Sequence, residues 1–332
     1  MIILVTGGGG FLGSAICRQL LSRGDEVIAY QRSAAPGLEA LGARCVQGDL
    51  QDLETLKDSV SGCDAVIHTA GKAGVWGPYE DYYRANVLGT ENLISACRSS
   101  EVPHLVYTSS PSVVHGGGDI EGGDESLPYP KHFSSPYPAT KALAEQLILA
   151  ANGEHLKTVG LRPHLIWGPG DPHLLPRLMA KAASGRLALP GAKKLIDTIY
   201  VENAAAAHLL ALQRISQGGD CCGKTYFISN DEPLEQAEII RGLLKAAGME
   251  PDIRSIPPVV AKTAGAVLQT AWKLLGIKSE PPVTKWSAEQ LSTAHWYNIS
   301  AAKRDLAYQP LISIAEGLEL LEAHFEQNMG GK

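Results

Sequence analysis

Short apolar runs alternate with amphipathic stretches through the first half of the chain. Apolar runs of strand length predict strands over Ile2–Thr6, Glu26–Gln31, Arg44–Gln47, Ala65–Thr69, Leu105–Ser109 and Thr158–Leu161. A helical repeat predicts helices near Phe11–Ser22, Tyr83–Arg98 and Pro138–Ala151. Strands that do not alternate apolar with polar are covered on both faces, so this order predicts an α/β protein built on a doubly wound parallel sheet.

After Pro163 the rhythm loosens into a helix near Leu174–Ala183, a strand near Thr198, a helix after Val201 and a strand at Thr225–Ser229. The expected division is a sheet domain over 1–166 and a smaller, partly interleaved C-terminal lobe over 167–332. Residues from about 197 to 230 are expected to return to the sheet domain, while Gly170–Pro190 and Glu232–Trp296 build a cap. Gly116–Gly123 is glycine-rich and acidic and reads as a mobile loop. Pro257–Gly276 is the most apolar long stretch, but Lys262, Gln269 and Lys273 interrupt it, so it does not span a membrane. Its plain reading is a buried or lid helix; the alternative is contact with a membrane surface or with another enzyme.

Composition narrows the function. The 332 residues are 45% hydrophobic, enough for a sizeable core, and the net charge of -6 offers no basic stripe for nucleic acid. Six scattered cysteines with no CxxC or CxxH pairing suggest neither a metal site nor a disulfide framework, so a reducing, cytoplasmic setting is expected. Met1–Thr6 lacks a basic flank and a cleavage region and reads as a first strand rather than an export signal.

The candidate chemistry begins where that strand runs into Gly7-Gly-Gly-Gly-Phe-Leu-Gly13. Glycines at 7, 10 and 13 permit a tight turn and close approach of backbone to a pyrophosphate, with Phe11 and Leu12 opening a helix whose free N–H groups favour an anion. At the end of the second strand an acid would hold the adenosine ribose and repel a 2′-phosphate, but Gln31 and Arg32 stand there. NADPH is therefore expected over NADH, the alternative being that Arg32 is a solvated loop charge. Asp49, followed by Leu50, is placed either to accept the adenine amino group or to cap the helix beginning near Gln51.

Tyr137 and Lys141 lie four apart on one helical face, which suits proton transfer by a phenol whose acidity a nearby ammonium raises. Ser110, with Ser109 as competitor, falls at the carboxyl end of a strand, where such sheets bind ligands. Asn86 is placed for a structural bond or for a water-mediated proton relay to Lys141.

Together Thr6–Gly13, Gly48–Leu50, His68–Gly71, Asn86–Thr90, Tyr107–Ser110, Tyr137–Lys141 and Leu161–Pro163 make the chain resemble the extended short-chain dehydrogenase/reductases over nearly its whole length. The resemblance implies a Rossmann domain with Ser110, Tyr137 and Lys141 catalytic, and Asn86 as a possible relay. Lys141 would also bind the nicotinamide ribose, and Ala70 and Pro163 would line the nicotinamide half of the cofactor. Tyr107–Val113, Trp167–Asp171, Tyr226–Asn230 and Glu280–Thr284 resemble the 3β-hydroxysteroid dehydrogenase branch. Lys72–Gly77, Leu161–Gly170, His173–Arg177 and His295–Tyr297 resemble bacterial reductases of 2-alkyl-3-oxoalkanoic acids in long-chain olefin biosynthesis.

That likeness implies NADPH-dependent reduction of a keto acid with two hydrocarbon tails. Leu174, Leu178, Met179, Val259, Val260, Val267, Leu268 and Trp272 would line an apolar cleft, although core packing explains them equally well. Lys72, His164 and Arg177 are the candidate cations for the carboxylate. The competing readings are a steroid or sterol-acid dehydrogenase, a sugar-nucleotide epimerase, and a protein that binds NADPH without turnover. The resemblance also implies a homodimer through the helices bearing Asn86 and Tyr137.

Overall fold

Seven parallel strands form the central sheet, in the spatial order Thr225–Ile228, Lys157–Pro163, His104–Thr108, Ala65–His68, Ile2–Thr6, Glu26–Gln31 and Arg44–Gln47. The computed structural model describes residues 1–250 and 252–330. Chain order reverses between Ile2–Thr6 and Ala65–His68, and such a switch opens a crevice at the carboxyl ends of the strands.

Side-chain alternation distributes each strand between two cores. Ile3, Val5, Val27, Ala29 and Ile67 face the helices Phe11–Ser22 and Val201–Ser216. Leu4, Ile28, Val66 and Leu105 face the helices Leu53–Val60, Gly89–Ser99 and Pro136–Ala151. The 201–216 helix buries Ala204, Ala205, Ala207 and Ala211, small residues that let two helices pack closely on one sheet face.

A third core holds Trp167, Leu178, Leu189, Ile196, Ile240, Leu243 and Leu321. Beside it stands a small sheet ordered Leu234–Glu235, Leu195–Ile196, His295–Tyr297 and Ile120–Gly123. The expectation of a mobile loop at Gly116–Gly123 is therefore corrected: Ile120–Gly123 pairs in parallel with His295–Tyr297. Gly122, at φ +70, makes room for the Trp296 ring, which a Cβ there would meet at 2.8 Å. The polar composition of the segment gave no sign of a partner so distant in the chain.

The helix expected near Tyr83–Arg98 is also more particular than its periodicity suggests. It starts at Tyr79, widens into a π-helical turn over Tyr83–Leu88, and continues as an α-helix over Gly89–Ser99. Asn86 sits in the widened turn.

Behind the sheet's edge Arg162 grips Glu145 through Nε at 2.9 Å and Nη2 at 2.6 Å, and the Tyr129 hydroxyl donates to the same carboxylate at 2.6 Å. Both charged groups are almost fully buried. Each neutralises the other, and together they tie the 136–151 helix to the strand Lys157–Pro163. Glu145→Ala would strand the guanidinium in the interior, and urea denaturation should show a loss of roughly 3–5 kcal/mol; a loss below about 1 kcal/mol, the range of surface pairs, would mean that water reaches Arg162.

Candidate active site

The crevice at the strand ends is one continuous cleft of about 1230 Å³. Gly7, Gly10, Phe11, Leu12 and Gly13 form its floor at one end, with Gln31, Arg32, Asp49 and Leu50 beside them. Ala70, Pro163, Ser110 and Tyr137 line its middle.

The glycine loop is built by steric necessity. Gly7 adopts φ +70, and its carbonyl accepts from Gly10 N–H at 2.8 Å. A Cβ on Gly13 would lie 2.1 Å from the Gly7 oxygen, so the helix can start this close to the strand only without a side chain there. These features fit a diphosphate seated on a helix N-terminus. Gln31 Oε1 accepts from Gly9 N–H at 3.2 Å. Arg32 is exposed along the same wall. Asp49 does not cap the helix that follows: that helix begins at Leu53, and Asp52 accepts from Thr55 N–H. The Asp49 carboxylate instead accepts from Gln51 N–H at 2.9 Å, closing a tighter turn.

Ser110 accepts from Ser112 N–H at 3.2 Å, and its hydroxyl lies 2.9 Å from that of Ser112, a neighbour that sequence reasoning did not single out. Ser109 Oγ is buried without a partner, and its residue also lines the cleft. Tyr137 stands partly covered on the first turn of its helix, edge-on to Trp286 with ring centres 6.3 Å apart. Burial raises the phenol above its ordinary pKa of 10.0, and a hydrogen bond with Ser110 opposes that rise.

The expected acidifying influence of Lys141 is not what this geometry shows. Lys141 lies behind the cleft wall, donates Nζ–H to Thr108 O at 2.6 Å and sits 4.2 Å from the centre of the Tyr107 ring. Burial drives it down to about 7, with Glu145 one turn along pulling the other way. A lysine so placed is only partly charged at neutral pH, which weakens its pull on the phenol.

Asn86 also stands off the cleft, and both ends of its amide are occupied. Oδ1 accepts from Lys72 N–H at 2.7 Å; Nδ2 donates to Lys72 O at 3.2 Å and to Thr140 Oγ1 at 3.0 Å. These bonds clasp the backbone of the loop after Ala70, and none reaches Lys141. A second brace runs from Ala70 N–H to Thr6 Oγ1, on to His68 Nδ1, and from His68 Nε2 to Thr90 Oγ1, which donates to Asn86 O. His68, Thr90 and Thr140 thus hold the loop that carries Ala70. Thr140 stands inside the Tyr137–Lys141 motif, yet the motif gave it no role, because that role depends on a residue 54 positions away.

Residues 4–258 match the 3-beta hydroxysteroid dehydrogenase/isomerase family. The chain belongs to that family. It is an oxidoreductase acting on hydroxyl and keto groups. It is 49% identical over 326 residues to a protein of Stenotrophomonas maltophilia named 2-alkyl-3-oxoalkanoate reductase, covering 97% of this chain and 99% of that one. It is 48% identical over 328 residues to the 2-alkyl-3-oxoalkanoate reductase of Shewanella oneidensis, covering 96% and 85%. Among solved structures it resembles the UDP-glucose 4-epimerase of Thermus thermophilus in complex with NAD, at 26% identity and a TM-score of 0.75, covering 98% of this chain and 99% of that one.

The three candidate cations fare differently. Lys72 and Arg177 line the cleft but already face carboxylates, Asp81 at 3.3 Å and Glu280 at 3.0 Å. Both pairs are exposed, where such bonds are weak and exchange readily for another carboxylate. His164 is corrected as a cation. It is buried, its Nε2 lies 3.1 Å from His295 Nδ1, and burial with the neighbouring imidazoles of His295 and His115 holds it well below its usual pKa. Burial similarly pushes His295 to about 4, His208 to about 4 and His68 to about 3.

The apolar lining also comes from unexpected places. Leu174 and Leu178 face the cleft with Leu187, Leu189, Ile239, Ile240 and Leu243, whereas Val259, Val260 and Val267 point to solvent.

A histidine depressed in the folded state takes up its proton only on unfolding, so its stabilising contribution is complete above the ordinary value of 6.5 and is lost below it. Asp197, raised by burial to about 7, and Glu125, also raised by burial, work against this, but with His115 five depressed histidines outnumber them. The thermal midpoint should therefore fall as pH drops from about 6.5 toward 4. A midpoint constant across that interval would show that the imidazoles are protonated within the folded protein.

Proposed function

We propose that this chain is an NADPH-dependent reductase that converts the 3-keto group of a long-chain 2-alkyl-3-oxoalkanoic acid to the 3-hydroxyl. One observation carries this reading: the cleft that begins at the glycine loop continues past Ser110 and Tyr137 between aliphatic walls from three segments of the C-terminal lobe. Those walls suit two hydrocarbon tails, and the two bacterial relatives bear the corresponding name. Arg177 and Lys72 are the cations offered to the carboxylate.

Gly7–Gly13, Ala70 and Pro163 would hold a nicotinamide dinucleotide, which would supply the hydride for the carbonyl carbon. Ser110 donates a hydrogen bond to the ketone oxygen, and Tyr137 passes its hydroxyl proton to that oxygen as charge develops on it. Lys141, bonded to Thr108 O, fixes the strand end that presents Ser110. Asn86 positions the loop of Ala70 rather than moving protons. Gln31 and Arg32, in place of an acid, favour the 2′-phosphate of NADPH. The same reading includes a homodimer through the helices 89–99 and 136–151, the second of which exposes Leu143.

Steady NADPH consumption on adding a long-chain 2-alkyl-3-oxoalkanoic acid is the expected result. Turnover of a steroid ketone or a sugar nucleotide in its place would overturn the assignment. Tyr137→Phe should cut kcat by about 10²–10⁴ with NADPH affinity unchanged, as fits loss of a general acid; retained kcat would remove Tyr137 from proton transfer. Arg32→Ala should raise the KM for NADPH roughly tenfold while sparing NADH. Equal effects on both cofactors would return Arg32 to the status of a solvated charge.

A further inference from the structure

The helix Pro258–Leu274 buries a narrow stripe and leaves the rest bare. Ala261 and Gly265 face the protein, and Gly265 fits against the Thr284 backbone so closely that a Cβ would lie 2.7 Å from the Thr284 oxygen. Gln269 Oε1 adds a bond from Lys285 N–H at 3.0 Å. The helix is thereby fastened to the element Lys285–Ser292, whose Trp286, Gln290 and Leu291 line the cleft.

Its outer surface carries exposed aliphatic side chains from end to end, with Thr263 and Thr270 among them. Val260, Val267 and Leu274 recur every seven residues, two helical turns, on one line, and they are 55%, 61% and 83% exposed. Val259 and Leu275 add 74% and 71%. Other exposed large apolar side chains among the described residues, such as Leu41, Leu143 and Leu311, are scattered along the chain. A contiguous bare face of this kind marks a contact surface.

Charge indicates what meets it. Between Ile256 and Ser279 the chain carries Lys262, Lys273 and Lys278 and no acidic residue, although its net charge is -6. Lys262, half-buried, and Lys273, exposed, fall on one edge of the helix, about three turns apart and roughly a third of a turn round from the apolar line. An apolar face bordered by lysines is complementary to a layer of acyl chains beneath anionic headgroups. No helix of the described residues is long and apolar enough to cross a membrane, so such a helix lies on the surface.

We infer that the outer face of helix 258–274 docks this protein on an anionic phospholipid bilayer, with the helix parallel to the surface and the cleft wall of Lys285–Ser292 immediately behind it. The inference stands on the helix and its charges and holds whichever ketone the cleft takes.

The test is sedimentation of the full chain with vesicles of phosphatidylglycerol and phosphatidylethanolamine, against phosphatidylcholine alone, at low and high salt. Binding to the anionic vesicles is expected, weakened by salt, and reduced by about tenfold or more in a Lys262→Glu, Lys273→Glu double variant. Val267→Asp should release the protein likewise while its thermal midpoint and NADPH binding stay those of the parent. Protein that remains in the supernatant with anionic vesicles at low salt, or Val267→Asp protein that still binds them, overturns the proposal. A dimer in solution that Val267→Asp converts to monomer, without vesicle binding by the parent, would assign the face to a second copy and overturn it as well.

Discussion

The middle of the cleft depends on a buried chain of hydrogen bonds through His68. A neutral imidazole can accept on Nδ1 and donate from Nε2 at once, so His68 links Thr6 at the end of the first strand to Thr90 on a helix across the sheet. Protonated, it would lose its acceptor and leave Thr6 without one, and burial keeps it neutral by pushing its pKa to about 3. Through Thr6 and Asn86 the same chain determines where the Ala70–Lys72 backbone runs. The wall against which a nicotinamide ring would lie is therefore held by groups that never touch it.

A similar division of labour governs the charged groups. Glu145 and Arg162 neutralise each other in the interior, and the cost of desolvating both is met by two close hydrogen bonds plus one from Tyr129. The pair stands one helical turn beyond Lys141, whose ammonium is buried with a backbone carbonyl and an aromatic face for company. Ser110 reports directly on Tyr137, while Lys141 acts on the strand that carries Ser110. The hydroxyl pair and the lysine thus belong to different layers of the site, even though a four-residue spacing places Tyr137 and Lys141 on one helical face.

The C-terminal lobe supplies the apolar half of the cleft and, on its outside, a second apolar surface. Both draw on aliphatic residues of similar composition, and their separation comes from small residues. Ala261 and Gly265 let helix 258–274 sit on Thr284 with one stripe, which turns its valines and leucines outward. The lining role then passes to Leu174, Leu178 and Ile239–Leu243, held in place by the third core.

What the amino-acid order alone determined is what depends on short spacing. The alternation of strand and helix, the glycines at 7, 10 and 13, the Tyr137–Lys141 interval and the absence of an acid at Gln31 are local patterns, since one turn of chain dictates each geometry. Tertiary structure decided everything that rests on distant partners: the amide of Asn86 taken up by Lys72 and Thr140, His164 buried and kept neutral beside His295, 131 positions away, and Ile120–Gly123 drawn into a sheet by His295–Tyr297. It also decided which side of helix 258–274 is covered. Its apolar residues cover more than one face, so hydrophobic periodicity does not choose which is covered, and the close fit of a glycine against a backbone does.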